Sequence, residues 1–113
     1  LATAWIENKR PDRALAAYDK ALQITPRMPE ALSGRGSLKA ERGDYEGALA
    51  DFDKALEVNP NYDSAYFNRA QTLKRMGKTE DALANALKAL NLRPDNALYQ
   101  GLVNALQAQE DSL

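Results

Sequence analysis

A period of 34 residues runs through the chain, and a fixed period of that length restricts the fold more than any local pattern does. Pro26, Pro60 and Pro94 stand 34 residues apart, and the same interval joins Ala14, Ala48 and Ala82, then Leu15, Leu49 and Leu83. Three more columns keep this register: Lys20, Lys54 and Lys88; Ala21, Ala55 and Ala89; and Leu22, Leu56 and Leu90. Such agreement over three copies is not chance. The fold must be built from a repeated unit.

The pattern inside one period identifies the unit. From Pro29 to Glu41 only Gly34 and Gly36 interrupt a helix-compatible run, and Arg42-Gly43-Asp44 reads as a turn. From Tyr45 to Val58 the apolar residues Tyr45, Ala48, Leu49, Phe52, Ala55 and Leu56 recur at spacings of three and four, which places them on one helical stripe. Asn59-Pro60-Asn61 ends that stripe, because proline has no N–H and disfavours helical geometry in the residue before it. The unit is helix, short turn, helix, proline stop. Ala48 and Ala55 lie two turns apart on one face of the second helix. Ala2, Gly36 and Ala70 give the first helix a matching column of small residues, and Tyr18 and Phe52 supply the knobs between. Neither helix buries its apolar side alone, so stability comes from stacking successive pairs. The expected fold class is all-α, an α-solenoid of antiparallel helix pairs without one compact core.

The period divides the chain into one domain with a truncated repeat at 1–28, full repeats at 29–62 and 63–96, and a closing segment at 97–113. The first copy has Lys9 and Pro11 where a turn is expected, the third has Ala86 where Tyr18 and Phe52 stand, and Lys39 occupies a column that is apolar at Trp5 and Leu73. In the closing segment Asp95 or Asn96 is placed to cap a helix, and Tyr99, Leu102, Val103 and Leu106 form a single stripe. Gln100, Asn104, Gln107 and Glu110 fall mostly off that stripe, as expected of a terminal helix with a wet outer face.

Composition narrows the chemistry. The chain has no histidine and no cysteine, which excludes Ser-His-Asp and Cys-His nucleophiles, His/Cys zinc sites, thiol redox motifs and disulfides. Gly34-Arg35-Gly36 begins like a dinucleotide loop but lacks the third glycine and a preceding strand. Asp51, Asp53 and Glu57 lack the glycine and the further ligand of a calcium loop, and read as ion-pair partners or solvated face. Lys20, Lys54 and Lys88 read as cations favoured by helix C-terminal ends. No catalytic residue, cofactor or metal is expected, and the chain reads as a non-enzyme. Fifteen Lys and Arg against 16 Asp and Glu provide no general attraction to nucleic acid or anionic membrane. No apolar run suits a membrane span or a signal peptide, and the cytoplasm is the expected location.

The period, the small residue Gly36, the Gly43-Asp44-Tyr45 turn, and Ala48, Phe52, Ala55 and Pro60 together resemble the tetratricopeptide repeat over nearly the whole chain. The resemblance implies a right-handed solenoid whose first helices line a concave face, where extended or helical peptides bind. By position that face carries Thr3, Ile6 and Glu7, then Glu30, Ser33, Gly34, Ser37, Ala40 and Glu41, then Ser64, Phe67, Asn68, Gln71, Lys74 and Arg75, with Leu98 and Leu102 as an extension. Lys74 and Arg75 form a basic end suited to an acidic group, Glu7, Glu30 and Glu41 an acidic part, and Phe67 an apolar contact. The clamp by which relatives hold the C-terminal carboxylate of heat-shock chaperones calls for lysine at 33, asparagine at 37 and 68 and basic residues at 98 and 102. Ser33, Ser37, Leu98 and Leu102 depart from it and only Asn68 agrees. The expected function is therefore a scaffold or adaptor binding a protein or peptide other than a chaperone tail. The alternative is self-assembly into a homo-oligomer through the terminal repeats.

Overall fold

The computed structural model describes the backbone of residues 2–111 and the side chains of residues 13–111. Its helices are α1 (Ala2–Ile24), α2 (Pro29–Glu41), α3 (Tyr45–Val58), α4 (Asp63–Arg75), α5 (Thr79–Leu92) and α6 (Ala97–Asp111), with no strand among the described residues. The starts of α2, α4 and α6 are 34 residues apart, and so are those of α3 and α5. Each helix packs on the next, and α2 also lies beside α4, which is the arrangement of a stacked α-solenoid. A radius of gyration of 15.0 Å exceeds the about 13 Å of a compact domain of this length.

The turns inside the pairs follow from two glycines. Gly43 and Gly77 have φ of 86° and 81°, a left-handed conformation that an L side chain rarely adopts. At the end of α2 the Gly43 N–H donates to the Ala40 carbonyl (3.0 Å) and the Asp44 N–H to the Lys39 carbonyl (2.8 Å). Gly77 and Lys78 repeat this with Lys74 (3.0 Å) and Leu73 (2.9 Å), so both helices end in the same Schellman cap. The corresponding position in the first copy is Lys9. The expected turn at Lys9 and Pro11 is absent, and α1 continues through both. Lysine does not readily take the left-handed conformation that ends α2 and α4, and proline costs the helix one hydrogen bond while keeping a helix-compatible φ.

Apolar clusters sit at successive junctions instead of one centre. Leu22, Ala31, Leu32, Ala55 and Ala65 join α1 to α4, and Ala40, Ala48 and Phe52 join α2 to α3. Ala70, Leu73, Ala82, Ala86, Val103 and Leu106 join α4 and α5 to α6. The small columns act as expected: a Cβ on Gly36 would lie 2.7 Å from the Phe52 ring and 3.0 Å from the Ala48 carbonyl oxygen. A Cβ on Gly34 would lie 2.5 Å from the Tyr18 ring. Glycine is what lets both rings reach the α2 backbone.

Charge bridges the same junctions. The Arg35 guanidinium donates to both carboxylate oxygens of Asp51 (2.9 and 2.8 Å) and to Asp19 (3.0 Å), and Lys39 pairs with Asp51 at 3.1 Å. Asp51 is 4% exposed, so it is a buried ion-pair partner and no part of a solvated face. Lys39 thus fits its apolar column because it reaches this carboxylate. Lys20, Lys54 and Lys88 stand one turn before the helix ends and not in the last turn, and the Lys88 ammonium lies 6.0 Å from the centre of the Tyr66 ring.

The closing helix α6 starts from Asn96, whose side chain accepts a hydrogen bond from the Tyr99 N–H (3.1 Å). It buries Tyr99, Val103 and Leu106. Gln100, Asn104 and Gln107 are exposed, and the Gln100 amide donates to Asn104 (2.9 Å), so the outer face is wet as expected.

Candidate functional site

The first helices α2, α4 and α6 share one face, and the side chains along it enclose three clefts in series. The cleft at the N-terminal end, of about 340 Å³, is lined by Glu30, Ser33, Gly34, Ser37, Ser64 and Asn68, together with Ala14, Tyr18, Leu38 and Tyr62. A narrow passage of about 60 Å³ follows between Ser37, Ala40, Glu41 and Phe52 on one side and Asn68, Gln71, Thr72 and Arg75 on the other. The cleft at the C-terminal end, of about 310 Å³, lies among Gln71, Lys74, Arg75 and Leu102. Shared residues make the three one trough: Ser37 and Asn68 belong to the first two, Gln71 and Arg75 to the last two.

The structure brings together Glu30, Ser33, Gly34, Ser37, Glu41, Ser64, Asn68, Gln71, Lys74 and Arg75, as the register expects. Phe67 departs from that set. It is 8% exposed and stacks on Tyr99 with ring centres 4.8 Å apart, because α6 covers the flank of α4 that it occupies. It therefore packs α6 and presents no apolar surface to a ligand. Leu98 is 65% exposed outside the clefts, whereas Leu102 forms part of the C-terminal one. The side chains of Thr3, Ile6 and Glu7 lie outside the described residues.

Tyr18, Tyr62, Leu38 and Ala14 were not legible as site residues. The expected face was read from first-helix register, and Tyr18 comes from α1 and Tyr62 from the loop before α4. The available signal was a residue without a side chain at 34 in the repeat that follows an aromatic at 18.

Polar geometry sets the floor of the trough. The Asn68 amide donates to the Ser33 hydroxyl (3.1 Å), tying α4 to α2, and the Thr72 hydroxyl donates to the Asn68 carbonyl (2.9 Å). The Asn68 side-chain oxygen stays open as an acceptor. Burial, and then the charges of Glu30 and Asp63, push the Tyr62 phenol above its usual pKa. Lys74 and Arg75 engage no carboxylate among the described residues. A trough with open amides and hydroxyls, one carboxylate-rimmed end and one cationic end can bind a polar chain. Nothing in it supplies a nucleophile with an adjacent base.

Comparison with known proteins agrees with the repeat pattern. A tetratricopeptide repeat family model matches residues 1–72, and a second tetratricopeptide repeat model matches residues 39–106. No curated protein matches the chain. Among solved structures, the first TPR of Spaghetti (RPAP3) bound to the HSP90 peptide SRMEEVD is 21% identical with a TM-score of 0.85, covering 96% of this chain and 86% of that one. The first TPR domain of human RPAP3 is 22% identical with a TM-score of 0.87, covering 97% and 87%. The Arabidopsis OM64 TPR domain is 21% identical with a TM-score of 0.83, covering 94% and 88%. At these identities the structures show the shared fold. With family models matching more than half of its length and an all-α stack in the same register, the chain belongs to the tetratricopeptide repeat family.

Proposed function

We propose that the chain is a non-catalytic interaction module that binds an extended segment of a protein or peptide in the trough formed by α2, α4 and α6. The observation that carries this reading is the continuity of the trough, together with Lys74 and Arg75, two cations that no carboxylate neutralises. A surface held by packed helices loses little conformational entropy on binding. Lys74 and Arg75 would meet an acidic group of the ligand, and Gln71 and Asn68 its peptide bonds.

One structural relative carries an HSP90 peptide, and this chain is not expected to bind that peptide in the same way. Ser33 is buried against Asn68 and cannot replace a lysine, and Leu98 and Leu102 offer no charge. Titration with SRMEEVD should give no saturable signal; tight binding would overturn this exclusion.

The test of the main reading is a random-peptide display selection on the chain, followed by NMR mapping of the selected peptides. Backbone amides of Ser37, Asn68 and Gln71 should shift, and Lys74→Glu with Arg75→Glu should weaken acidic peptides by tenfold or more. Shifts confined to α3 and α5 would overturn it. Self-assembly through the C-terminal end is opposed by the polar outer face of α6, since stacking would strip water from Gln100, Asn104 and Gln107. No described helix is long and apolar enough to cross a membrane. A cytoplasmic location remains part of this proposal.

A further inference from the structure

We infer that the N-terminal cleft of the trough is a subsite for a cationic side chain, lysine or arginine, of the bound segment. The inference rests on the concave-face reading and assigns a ligand chemistry to one end of it. Two aromatic rings, Tyr18 and Tyr62, form its walls, and Gly34 allows Tyr18 to lie directly against the α2 backbone. The lining contains one carboxylate, Glu30, and no Lys or Arg. Glu30 is exposed and has no ion-pair partner among the described residues. Its charge is felt inside the cleft, because it contributes to raising the Tyr62 phenol, second to burial.

Each of these features favours a cation and disfavours the alternatives. An aromatic ring attracts a nearby ammonium or guanidinium through its quadrupole, and more strongly where water is partly excluded. A guanidinium carries five donors and no acceptor, and the cleft offers hydroxyl oxygens of Ser37 and Ser64 and the open side-chain oxygen of Asn68. An anionic group would face Glu30 with no cation to offset it. A purely apolar one would cover these hydroxyls without replacing their hydrogen bonds to water.

The opposite end of the trough has the reverse character, with Lys74 and Arg75 and no carboxylate. The trough is thus polarised, and its occupant is a segment with a basic residue toward Tyr18 and an acidic one toward Arg75. The two subsites differ by one helix spacing across α4 and several residues along it. That places them on the order of 15 Å apart, or about four to five residues of extended chain.

The display selection supplies the probes. Peptides that map to the trough should be enriched in Lys or Arg on the N-terminal side of the trough, four to five residues from Asp or Glu. Glu30→Gln should weaken them about three- to tenfold, Tyr62→Leu should weaken them similarly, and Tyr62→Phe should not. Replacing the basic residue of the peptide by norleucine should cost the wild type the same factor and cost Glu30→Gln little. Trough-binding peptides without basic enrichment, or with unchanged affinity for Glu30→Gln, would overturn the subsite and leave the concave-face reading standing. Peptides that map only to the convex side would overturn both.

Discussion

The two full repeats, 29–62 and 63–96, share one backbone and solve its packing differently. In the first, Gly36 faces Phe52 and a buried carboxylate, Asp51, holds Arg35 and Lys39. In the second, the same columns hold Ala70 and Ala86, and Asn85 and Leu73 stand where Asp51 and Lys39 were, while Arg69 keeps the Arg35 position. Arg69 pairs with Asp53 at 3.2 Å, as Arg35 does with Asp19, one repeat apart. Asn85 instead donates to the Asp81 carbonyl of its own helix (2.8 Å), and the Arg69 Nε is buried without a partner. The difference teaches that columns change in sets. A glycine goes with a phenylalanine and an alanine with an alanine, and a buried acid goes with a second cation. The lone arginine that outlasts its acid is left half-satisfied.

The largest test breaks the aromatic set. Phe52→Ala should cost roughly 3 to 5 kcal/mol, because Phe52 is fully buried and Gly36 cannot fill the space. Gly36→Ala should be destabilising in the wild type, where its Cβ meets the ring, and stabilising by about 1 kcal/mol in the Phe52→Ala background, where only helix propensity remains. Urea unfolding of the four proteins of this cycle reads the sign change. If Gly36→Ala has the same sign in both backgrounds, the columns do not change as a set.

Next is the charged set. Asp51→Ala leaves Arg35 and Lys39 facing each other without their acid and should cost about 3 kcal/mol. Burial opposes the Arg35 charge, and the Asp51 hydrogen bonds outweigh it, holding its pKa above the ordinary range. Asp51→Asn with Lys39→Leu installs the second repeat's solution and should recover at least about 1 kcal/mol relative to Asp51→Asn alone. In the other direction, Asn85→Asp should stabilise by up to about 1 kcal/mol by giving the Arg69 Nε an acceptor. Loss of stability on Asn85→Asp would show that desolvation of the new carboxylate outweighs that gain.

These sets also mark what was legible in the sequence. The helix order, the repeat boundaries within 29–96 and the wet face of α6 followed from period and stripe, because they depend on spacing alone. Ten of the eleven groove positions followed from register for the same reason. Phe67 did not, because whether a first-helix side chain faces the groove depends on what covers it, and Tyr99 arrives from the next repeat. The Lys9 turn was misjudged because proline was weighted as a breaker, while the turn depends on a left-handed glycine that position 9 lacks. Lys39 looked misplaced only until its acid, twelve residues away on another helix, was known.

The junctions of the first helices differ in one further way. Pro29 and Ala65 meet the α2–α4 junction, whereas the same columns at α4–α6 hold Asp63 and Tyr99, whose hydroxyl donates to the Asp63 carboxylate at 2.5 Å. Tyr99→Phe should cost about 1 to 2 kcal/mol by removing a hydrogen bond to a charged acceptor. Burial first, and this hydrogen bond second, raise the Tyr99 pKa. A group whose folded pKa is raised contributes stability that is complete below its unfolded pKa of about 10 and is lost as pH rises through the folded value. Wild type should therefore lose the advantage over Tyr99→Phe in alkali, above about pH 10, as read by denaturant midpoints. A difference that stays constant through that range would remove Asp63 from the account.

The smallest effect concerns the second helices of the two repeats. Asp44 caps α3 by accepting from the Gly47 N–H at 3.0 Å, whereas Lys78, the corresponding residue before α5, makes no side-chain cap. Lysine there is also a cation beside the positive end of the helix dipole, with Glu80 and Asp81 in the first turn as the compensating charges. Lys78→Ser supplies a hydroxyl acceptor and removes the unfavourable charge, and should stabilise by about 0.5 to 1 kcal/mol. Asp44→Ser in the first repeat should change stability by less, since one good cap replaces another. Hydrogen exchange gives the sharper readout, because the gain should be concentrated at the amides of Glu80 and Asp81 while those of α3 stay unchanged. Uniform protection across both helices would mean that Lys78 acts on the whole stack and that the two second helices are not capped independently.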